Sequence, residues 1–371
     1  MGAKVLTIIG TRPEAIKMAP VVRELQATSG FEHILAVTGQ HRALLHQVLD
    51  LFGIEPQHDL DIMKEGQRLD EILTRTLSRL SDIVCVERPD CILVHGDTTS
   101  TLSGALAGFY NKVKVGHVEA GLRTGDRFLP YPEEINRRLA DQIADYYFAP
   151  TEGAAANLRR DGLVQGEIVV TGNTVVDAVR IVMGMPVELP ADIAEFTARF
   201  KEYVIVTTHR RENWGEPLAR IGEALRVFAL DNPAVGVIAC LHPNPLLRHG
   251  LLPFLEEAPN ALMTPAPDYS SFIHLMCCAQ FILTDSGGVQ EEACGLGKLA
   301  LVLRGQTERP EAVDAGFARV IGTDSVRIVT EMAGALVETR LGKAPPKDAP
   351  NPFGDGYASL RIVEFLKARL G

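Results

Sequence analysis

The sequence predicts an α/β protein built from two doubly wound parallel sheets of similar size. Three observations support this prediction. Short runs of almost wholly apolar residues alternate with helical patterns, and this alternation extends through both halves of the chain. The apolar runs are those expected of strands buried on both faces. The 371 residues also suffice for two domains with separate cores.

The bulk composition is that of an ordinary globular protein, with 46% hydrophobic and 23% charged residues. The net charge of −10 argues against a nucleic-acid partner, which favours a basic face. No apolar run approaches the ~18 residues of a membrane span, and no signal-peptide pattern precedes the first strand, so we expect a cytoplasmic protein that binds no membrane. The six cysteines form no CxxC pair and are expected to be reduced and buried, without a disulfide or metal site.

The first strand, Lys4–Gly10, continues into the segment GTRPEAIKMAP. Thr11 and Glu14 have the spacing of a capping box, so a helix begins here. Arg12 and Lys17 lie beside its N-terminus, which favours an anion site; the alternative is a plain strand–helix turn with two solvated cations. Neither GxxxxGK nor GxGxxG is present, so this is neither a Walker loop nor a dinucleotide fingerprint.

Further strands and helices follow in alternation through the first half. The strand before HGDTTS ends near Asp97, a position where a single aspartate normally serves as a cap or turn residue. The next strand ends at Glu119. The later strands predicted in this half are His33–Val37, Cys91–Val94, Lys112–Val118, Tyr146–Pro150 and Ile168–Thr171.

The densest group of charged side chains lies in HVEAGLRTGDRFLPYPEEINRR, residues 117–138. After Glu119 comes a glycine-rich loop, and then a helix with Glu133 in its first turn. Glu133 and Arg137 share one side of this helix, facing either water or a cleft. Ligands bind at the carboxyl edge of parallel sheets, so the junction predicts a site, whereas the alternative is a solvated loop with a well-started helix. The buried stripe expected on this helix is Ile135, Leu139, Ile143 and Tyr146.

We place the domain boundary near Gly172, which gives an N-terminal domain of residues 1–172 and a C-terminal domain of residues 173–356. A last helix at about 357–371 is expected to cross back to the first domain. The segment Met185–Asp192 is Pro-rich and is expected to be irregular. The strands predicted in the second half are Tyr203–Thr208, Ala234–Cys240, Ala261–Thr264, Phe281–Leu283 and Leu299–Leu303.

The clearest signal in the second half is FILTDSGGVQEEACGLGK. A strand ends there, and Ser286, Gly287 and Gly288 open a helix that contains Glu292. Glycines allow a phosphate to approach the backbone, and the helix start supplies N–H donors. A carboxylate one turn into the helix is suited to ribose hydroxyls. The alternative is a tight turn that needs glycine for a positive φ. Arg309, in TERPE, is a further candidate for an anion contact.

Ten motifs in order along nearly the whole chain resemble the bacterial, non-hydrolysing UDP-N-acetylglucosamine 2-epimerases. The resemblance implies the two-Rossmann fold called GT-B, with the active site in the interdomain cleft, and a homodimer that needs no cofactor and no metal. The motifs are GTRPEAIKMAP, TGQHR, VHGDTTS, GHVEAGLRTG, PEEINR, TGNTVVDA, THRREN, ILTDSGGVQEE, TERPEAV and NPFGDG.

The reaction implied by this resemblance is the interconversion of UDP-GlcNAc and UDP-ManNAc by inversion at C2, in the service of cell-surface polysaccharide biosynthesis. UDP is eliminated to leave a 2-acetamidoglucal and then adds back, with protonation on the other face. Three alternatives stay open: a GT-B glycosyltransferase, a hydrolysing epimerase that releases ManNAc and UDP, and a non-catalytic sensor of the nucleotide sugar.

Matched by motif, the resemblance implies that Asp97, Glu119 and Glu133 are the catalytic carboxylates, with Arg137 holding Glu133 and His209 acting at the diphosphate or leaving group. Clustered carboxylates push each other's pKa values apart, so we expect one of them to stay protonated. The substrate-binding residues implied are Arg12, Lys17, Asp97, Glu119, His209, Phe272 beside the uracil, Ser286, Gly287, Gly288, Glu292 and Arg309.

The chain also departs from the family pattern. It has CGLGKLALVLRGQTERPE where many members have PSLGKPVLVLRDTTERPE, and Pro267 where a glutamine near the uracil is common. Some members carry a second, activating UDP-GlcNAc site, but Ala43 and Gly66 stand here where glutamine and arginine are expected. We therefore expect substrate activation to be weakened or absent. The residues that match the activator site are Gln40, His41, Arg210 and His242.

Overall fold

The structure, a computed structural model, describes residues 2–39, 42–62, 66–163, 166–241, 244–346 and 349–371, with residue 42 described by its backbone alone. The chain divides into two compact units. Unit 1 comprises Met1–Ala178 and Phe353–Gly371, and unit 2 comprises Val179–Pro352. Every strand pair in the two sheets is parallel. This confirms the prediction of two doubly wound parallel sheets.

Unit 1 contains a seven-stranded sheet with the order β3-β2-β1-β4-β5-β6-β7. Its elements up to the unit boundary are β1 (Ala3–Ile9), α1 (Arg12–Ala27), β2 (Phe31–Val37), α2 (Arg42–Phe52), β3 (His58–Asp59), α3 (Leu69–Glu87), β4 (Cys91–His95), α4 (Thr99–Tyr110), β5 (Lys114–Val118), α5 (Glu133–Ile143), β6 (Tyr146–Ala149), α6 (Glu152–Arg160), β7 (Glu167–Val170) and α7 (Thr174–Met183).

Unit 2 contains a six-stranded sheet with the order β10-β9-β8-β11-β12-β13. Its elements are α8 (Ala191–Arg199), β8 (Glu202–Thr207), α9 (Glu216–Asp231), β9 (Val235–Leu241), α10 (Pro245–Leu255), β10 (Ala261–Pro265), α11 (Tyr269–Cys278), β11 (Ile282–Thr284), α12 (Gly287–Gly295), β12 (Ala300–Val302), α13 (Pro310–Asp314), β13 (Ala318–Val320) and α14 (Ser325–Arg340).

The strand order reverses once in each sheet. In unit 1 the reversal lies between β1 and β4, and in unit 2 it lies between β8 and β11. In doubly wound sheets the helices leave such a point on opposite faces, so a crevice opens at the carboxyl ends of the two strands. The motifs GTRPEAIK and HGDTTS follow β1 and β4, and THRREN and DSGG follow β8 and β11. These four motifs therefore lie at the two reversals, whereas Glu119 follows the neighbouring strand β5 and Arg309 follows β12.

The chain returns to unit 1 at its end through α15 (Ala358–Leu370), which packs against α1. The Asp177 carboxylate accepts hydrogen bonds from the backbone of Ala358 at 3.1 Å and of Ser359 at 2.8 Å. Asn173 N–H donates to the carbonyl of Phe353 at 2.8 Å. These bonds explain why residues 173–178 and 353–356 group with unit 1, although the boundaries expected from the sequence are Gly172 and 357.

Several details differ from the sequence-based expectations. Cys85 and Cys278 are exposed, so the expectation that all six cysteines are buried is wrong for these two. Strands β3 and β13 and helices α8 and α14 were not predicted. β3 consists of His58 and Asp59, and β13 contains Arg319 at its centre, so neither strand lies in an apolar run as the equally short β11 and β12 do. Among the described residues, no helix combines the length and apolarity that crossing a membrane requires.

Candidate active site

The turn from β1 into α1 is built around a buried glutamate. Glu14 accepts hydrogen bonds from the backbone of Gly10 at 2.5 Å and of Thr11 at 2.6 Å, which confirms the predicted capping box. Its other oxygen accepts from the Thr98 hydroxyl at 2.5 Å. Burial raises the pKa of Glu14, and these hydrogen bonds oppose that rise. Glu14 therefore ties the start of α1 to the residue that follows Asp97.

Lys17 extends from the first turns of α1 onto Glu119. The two side chains are both buried and form an ion pair. Glu119 also accepts a hydrogen bond from the Asn173 side chain at 2.8 Å. Its backbone has a φ of 65°, a conformation that disfavours residues other than glycine and that needs surrounding contacts to persist. The interpretation of Lys17 as a solvated cation is therefore wrong.

Asp97 follows the end of β4. This strand lies next to β5, whose end is followed by Glu119. Arg137 of α5 is buried and donates a hydrogen bond to the Asp97 carboxylate, and its guanidinium also lies 3.4 Å from Glu134. The Asn136 amide donates to the backbone carbonyl of Asp97 at 3.0 Å. Since β4 and β5 are paired neighbours, Asp97 and Glu119 lie at adjacent strand ends, each beside a buried cation.

The buried stripe expected on α5 is wrong for Ile135 and Leu139, whereas Ile143 is half-buried against the core of unit 1 and Tyr146, beyond the end of the helix, is buried. Ile135 and Leu139 are 39% and 46% exposed. Ile135 and Leu139 have helical spacing, but they face outward because the opposite, polar side of α5 has charged partners inside unit 1. The side chains that α5 buries are Glu134, Asn136, Arg137, Ala140 and Asp141. Glu133, the first residue of α5, is half-buried.

Two buried histidines beside these carboxylates were missed by the sequence analysis. His117 contacts Asp141 through Nδ1 and the Gly96 carbonyl through Nε2, both at 2.7 Å. His95 lies with Nε2 3.8 Å from Glu119, and burial lowers its pKa to about 4, so its ring is neutral at pH 7. His95 and His117 each lie near the end of a strand, two residues before a predicted catalytic carboxylate. This spacing could have identified both histidines in the sequence.

In unit 2 the loop after β8 is held by Asp285, which lies at the end of β11 and is fully buried. Its carboxylate accepts from the Thr208 hydroxyl at 2.7 Å, the Arg210 backbone at 3.0 Å and the Asn213 amide at 2.9 Å. It also accepts from the His209 backbone and lies 3.1 Å from Nδ1 of the His209 ring. Asp285 thereby positions His209 next to the start of α12.

The N-terminus of α12 has the features of an anion site. Ser286 caps the helix, and Gly287 and Gly288 both have negative φ, so the alternative of a turn that needs glycine for a positive φ is wrong. A Cβ added at Gly287 would lie 3.6 Å from Cζ of Arg309, so the guanidinium lies directly over this glycine. Arg309 is buried and paired with Glu291. Helix N–H groups and a cation therefore meet where no side chain intervenes.

The remaining predicted residues lie as follows. Arg12 is the first residue of α1 and is half-exposed; Phe272 is half-buried on α11; and Glu292 is buried on α12. Of the predicted activator residues, Gln40, His41 and His242 lie outside the described residues, so this site stays a prediction. Arg210 is described, and its backbone bonds Asp285.

Comparison with known proteins gives a consistent match over the chain. A family model described as UDP-N-acetylglucosamine 2-epimerase matches residues 23–367. A UDP-N-acetylglucosamine 2-epimerase of Yersinia pestis is 48% identical over 371 residues, covering 98% of each chain.

Solved structures also resemble the protein over nearly its whole length. The crystal structure of UDP-GlcNAc 2-epimerase from Neisseria meningitidis bound to UDP-GlcNAc matches with a TM-score of 0.89 and 42% identity, covering 98% of this chain and 100% of that one. The Methanocaldococcus jannaschii enzyme in complex with UDP-GlcNAc and UDP matches with a TM-score of 0.82 and 33% identity, covering 98% and 99%.

Proposed function

The chain belongs to the UDP-N-acetylglucosamine 2-epimerase family, and from this premise we propose that it interconverts UDP-GlcNAc and UDP-ManNAc without releasing free sugar. The observation that carries the proposal is the position of Asp97 and Glu119. The two carboxylates follow adjacent strands, and each lies beside a buried cation. Inversion at carbon needs proton exchange on both faces of C2, which two carboxylates can supply. The Neisseria relative binds UDP-GlcNAc, which supports the choice of substrate.

The proposed reaction is an elimination followed by a re-addition. A carboxylate removes the C2 proton, the C2–H electron pair forms the C1=C2 bond, and the C1–O bond breaks with its electrons leaving on UDP. The 2-acetamidoglucal then receives UDP oxygen at C1 and a proton at the opposite face of C2. Asp97, Glu119 and Glu133 provide the groups that take up and return these protons.

Unit 2 is proposed to hold the nucleotide and stabilise the charge that UDP gains as it leaves. The N–H groups of Gly287 and Gly288 at the start of α12, with the Arg309 guanidinium over Gly287, are suited to a diphosphate. His209 is proposed to contact the same oxygens, since Asp285 positions it beside that helix start. Glu292 and Phe272 are proposed to contact the ribose hydroxyls and the uracil, as the family motifs imply.

The test is proton NMR of UDP-GlcNAc incubated with the protein in D2O. We expect UDP-ManNAc to appear with deuterium at C2 in both epimers and no acceptor present, because the C2 proton is exchanged with solvent in each turnover. Accumulation of free ManNAc and UDP would instead identify a hydrolysing enzyme. Binding without any loss of the C2 proton would contradict the proposal and favour a glycosyltransferase or a sensor.

We also propose that unit 1 forms the contact surface of a homodimer. α3, α5 and the loop before α5 expose large apolar side chains, including Leu69, Tyr131 and Ile135, which line a cavity of about 610 Å³. Leu139 continues this surface along α5. Large exposed apolar side chains that lie together on one surface mark an interaction site, and a second copy would cover them with the same residues.

Leu139→Arg is therefore expected to convert the dimer to a monomer, because the interface would bury a charged guanidinium without a partner. Sedimentation velocity measures the change in mass. Leu230→Arg is the matched control, since Leu230 lies on α9 of unit 2 and is also 46% exposed. A dimer that persists in the Leu139 variant, or a monomeric parent protein, would contradict this proposal.

A further inference from the structure

We propose that His117 and Asp141 are a positioning pair that sets the direction of the Asp97 carboxylate by holding the Gly96 peptide. The inference rests on the proposed function in one respect, since it takes Asp97 to act on the C2 proton. It adds two residues that the motifs did not single out and that themselves lie too deep to contact a substrate.

The contacts of the His117 ring define its role. Its side chain and that of Asp141 are fully buried. A carbonyl can only accept a hydrogen bond, so Nε2–H of His117 donates to the Gly96 carbonyl at 2.7 Å. Nδ1 lies 2.7 Å from the Asp141 carboxylate, which fixes the rotation of the ring. The imidazole therefore bridges α5 and the peptide before Asp97.

Gly96 is held at both of its polar backbone groups. Its N–H donates to the Val118 carbonyl at 3.0 Å, and its carbonyl accepts from His117. Its φ of 68° is the left-handed region, which glycine adopts without strain but which leaves several other backbone conformations open to it. The bond from His117 selects one orientation of the Gly96–Asp97 peptide. That orientation sets the direction of the Cα–Cβ bond of Asp97.

Three neighbouring contacts from α5 act on the same short segment. Asn136 holds the Asp97 carbonyl, Arg137 holds the Asp97 carboxylate, and Asp141 holds the histidine that fixes the preceding carbonyl. Asp141 is in turn 2.7 Å from the Arg123 guanidinium. A buried polar pair of this kind is costly to desolvate, and an apolar pair would pack as well, so the presence of the polar pair favours a role in precise placement.

A double-mutant cycle tests whether His117 acts through Asp97. The rate of C2 deuterium exchange is measured per UDP-binding site, counted by calorimetric titration with UDP, so that loss of folded protein does not register as loss of rate. His117→Gln is expected to lower the exchange rate about 10- to 100-fold, since small displacements of a reacting group have effects of this order. In the Asp97→Asn background the same substitution is expected to change the residual rate little.

The controls separate positioning from general stabilisation. Asp141→Asn retains the shape of the side chain and offers Nδ1 either an amide N–H or an amide oxygen, and it is carried through the same cycle so that the test stands if His117→Gln does not fold. His33→Gln removes another partly buried histidine of this sheet, bonded to Thr7 at 3.0 Å, and is expected to leave both rates unchanged. An equal loss in the two backgrounds, or no loss in either, overturns the inference. Asp97→Asn at the parent rate would instead count against the proposed function.

Discussion

Asp97→Asn is expected to lower turnover about 10²- to 10⁴-fold, the range that a positioned acid–base group contributes. The amide keeps the size of the side chain but can neither accept nor return the C2 proton. The fold is expected to survive, because the Asp97 side chain is 26% exposed and Arg137 keeps its contact with Glu134. Turnover is measured by NMR or coupled detection of UDP-ManNAc, and folding by calorimetry.

Glu119→Gln and Glu133→Gln are expected to cause losses of similar size. Glu119→Gln has a second effect, since it removes the negative charge beside the buried Lys17 ammonium, so its melting temperature is expected to fall as well. The matched control is Glu87→Gln, which also weakens a contact with a lysine, Lys4 at 3.5 Å, but at the amino-terminal edge of the same sheet. Near-normal rates in all three carboxylate variants would show that the chemistry is assigned to the wrong groups.

These assignments depend on a fold that can be predicted from the apolar runs of its strands. The alternation of such runs with helical patterns predicts both sheets, and the ends of β1, β4, β8 and β11 then bring the motifs to the two reversals of strand order. Strand ends could be predicted because burial on both faces leaves a long apolar run that stops abruptly. Short edge strands such as β3, which pairs through only two residues, leave no comparable signal.

The orientation of α5 could not be predicted in the same way. Hydrophobic spacing identifies the apolar side of a helix, and the usual inference is that this side faces the core. Here the polar side is buried because its charges are matched by residues outside the helix, Asp97 for Arg137 and Arg123 for Asp141. Such pairing depends on which strand ends lie beneath the helix, and this emerges only in three dimensions.

Asp285→Ala is expected to lower the unfolding free energy of unit 2 by about 3–5 kcal/mol and to abolish UDP binding. The substitution leaves the Thr208 hydroxyl, the Asn213 amide and the backbone N–H groups of the β8 loop without their common acceptor, and unsatisfied buried donors are costly. His209 would lose its fixed place beside α12 at the same time. Urea denaturation followed by Trp214 fluorescence, together with calorimetric titration of UDP, measures the two effects.

The same carboxylate predicts a dependence of stability on pH. Burial alone would raise its pKa, but the hydrogen bond and charge of His209, with the bonds from Thr208 and Arg210, lower it from 3.8 to about 2. A lowered folded-state pKa contributes stability that is complete above about pH 4 and is lost as the pH falls toward 2, which amounts to about 2 kcal/mol. The parent protein is therefore expected to lose more stability between pH 5 and 3 than the Asp285→Ala variant.

Asp355 provides the matched control for this argument. Its pKa is also lowered to about 2, by the hydrogen bond from Arg361, but its side chain is 56% exposed. Water replaces an exposed partner, so Asp355→Ala is expected to cost less than about 1 kcal/mol at pH 7. Equal losses in the two variants would mean that charge pairing alone stabilises Asp285. A larger loss of stability in Asp285→Ala than in Asp355→Ala would have a different meaning. It would show that five buried donors around one carboxylate hold the His209 loop in place.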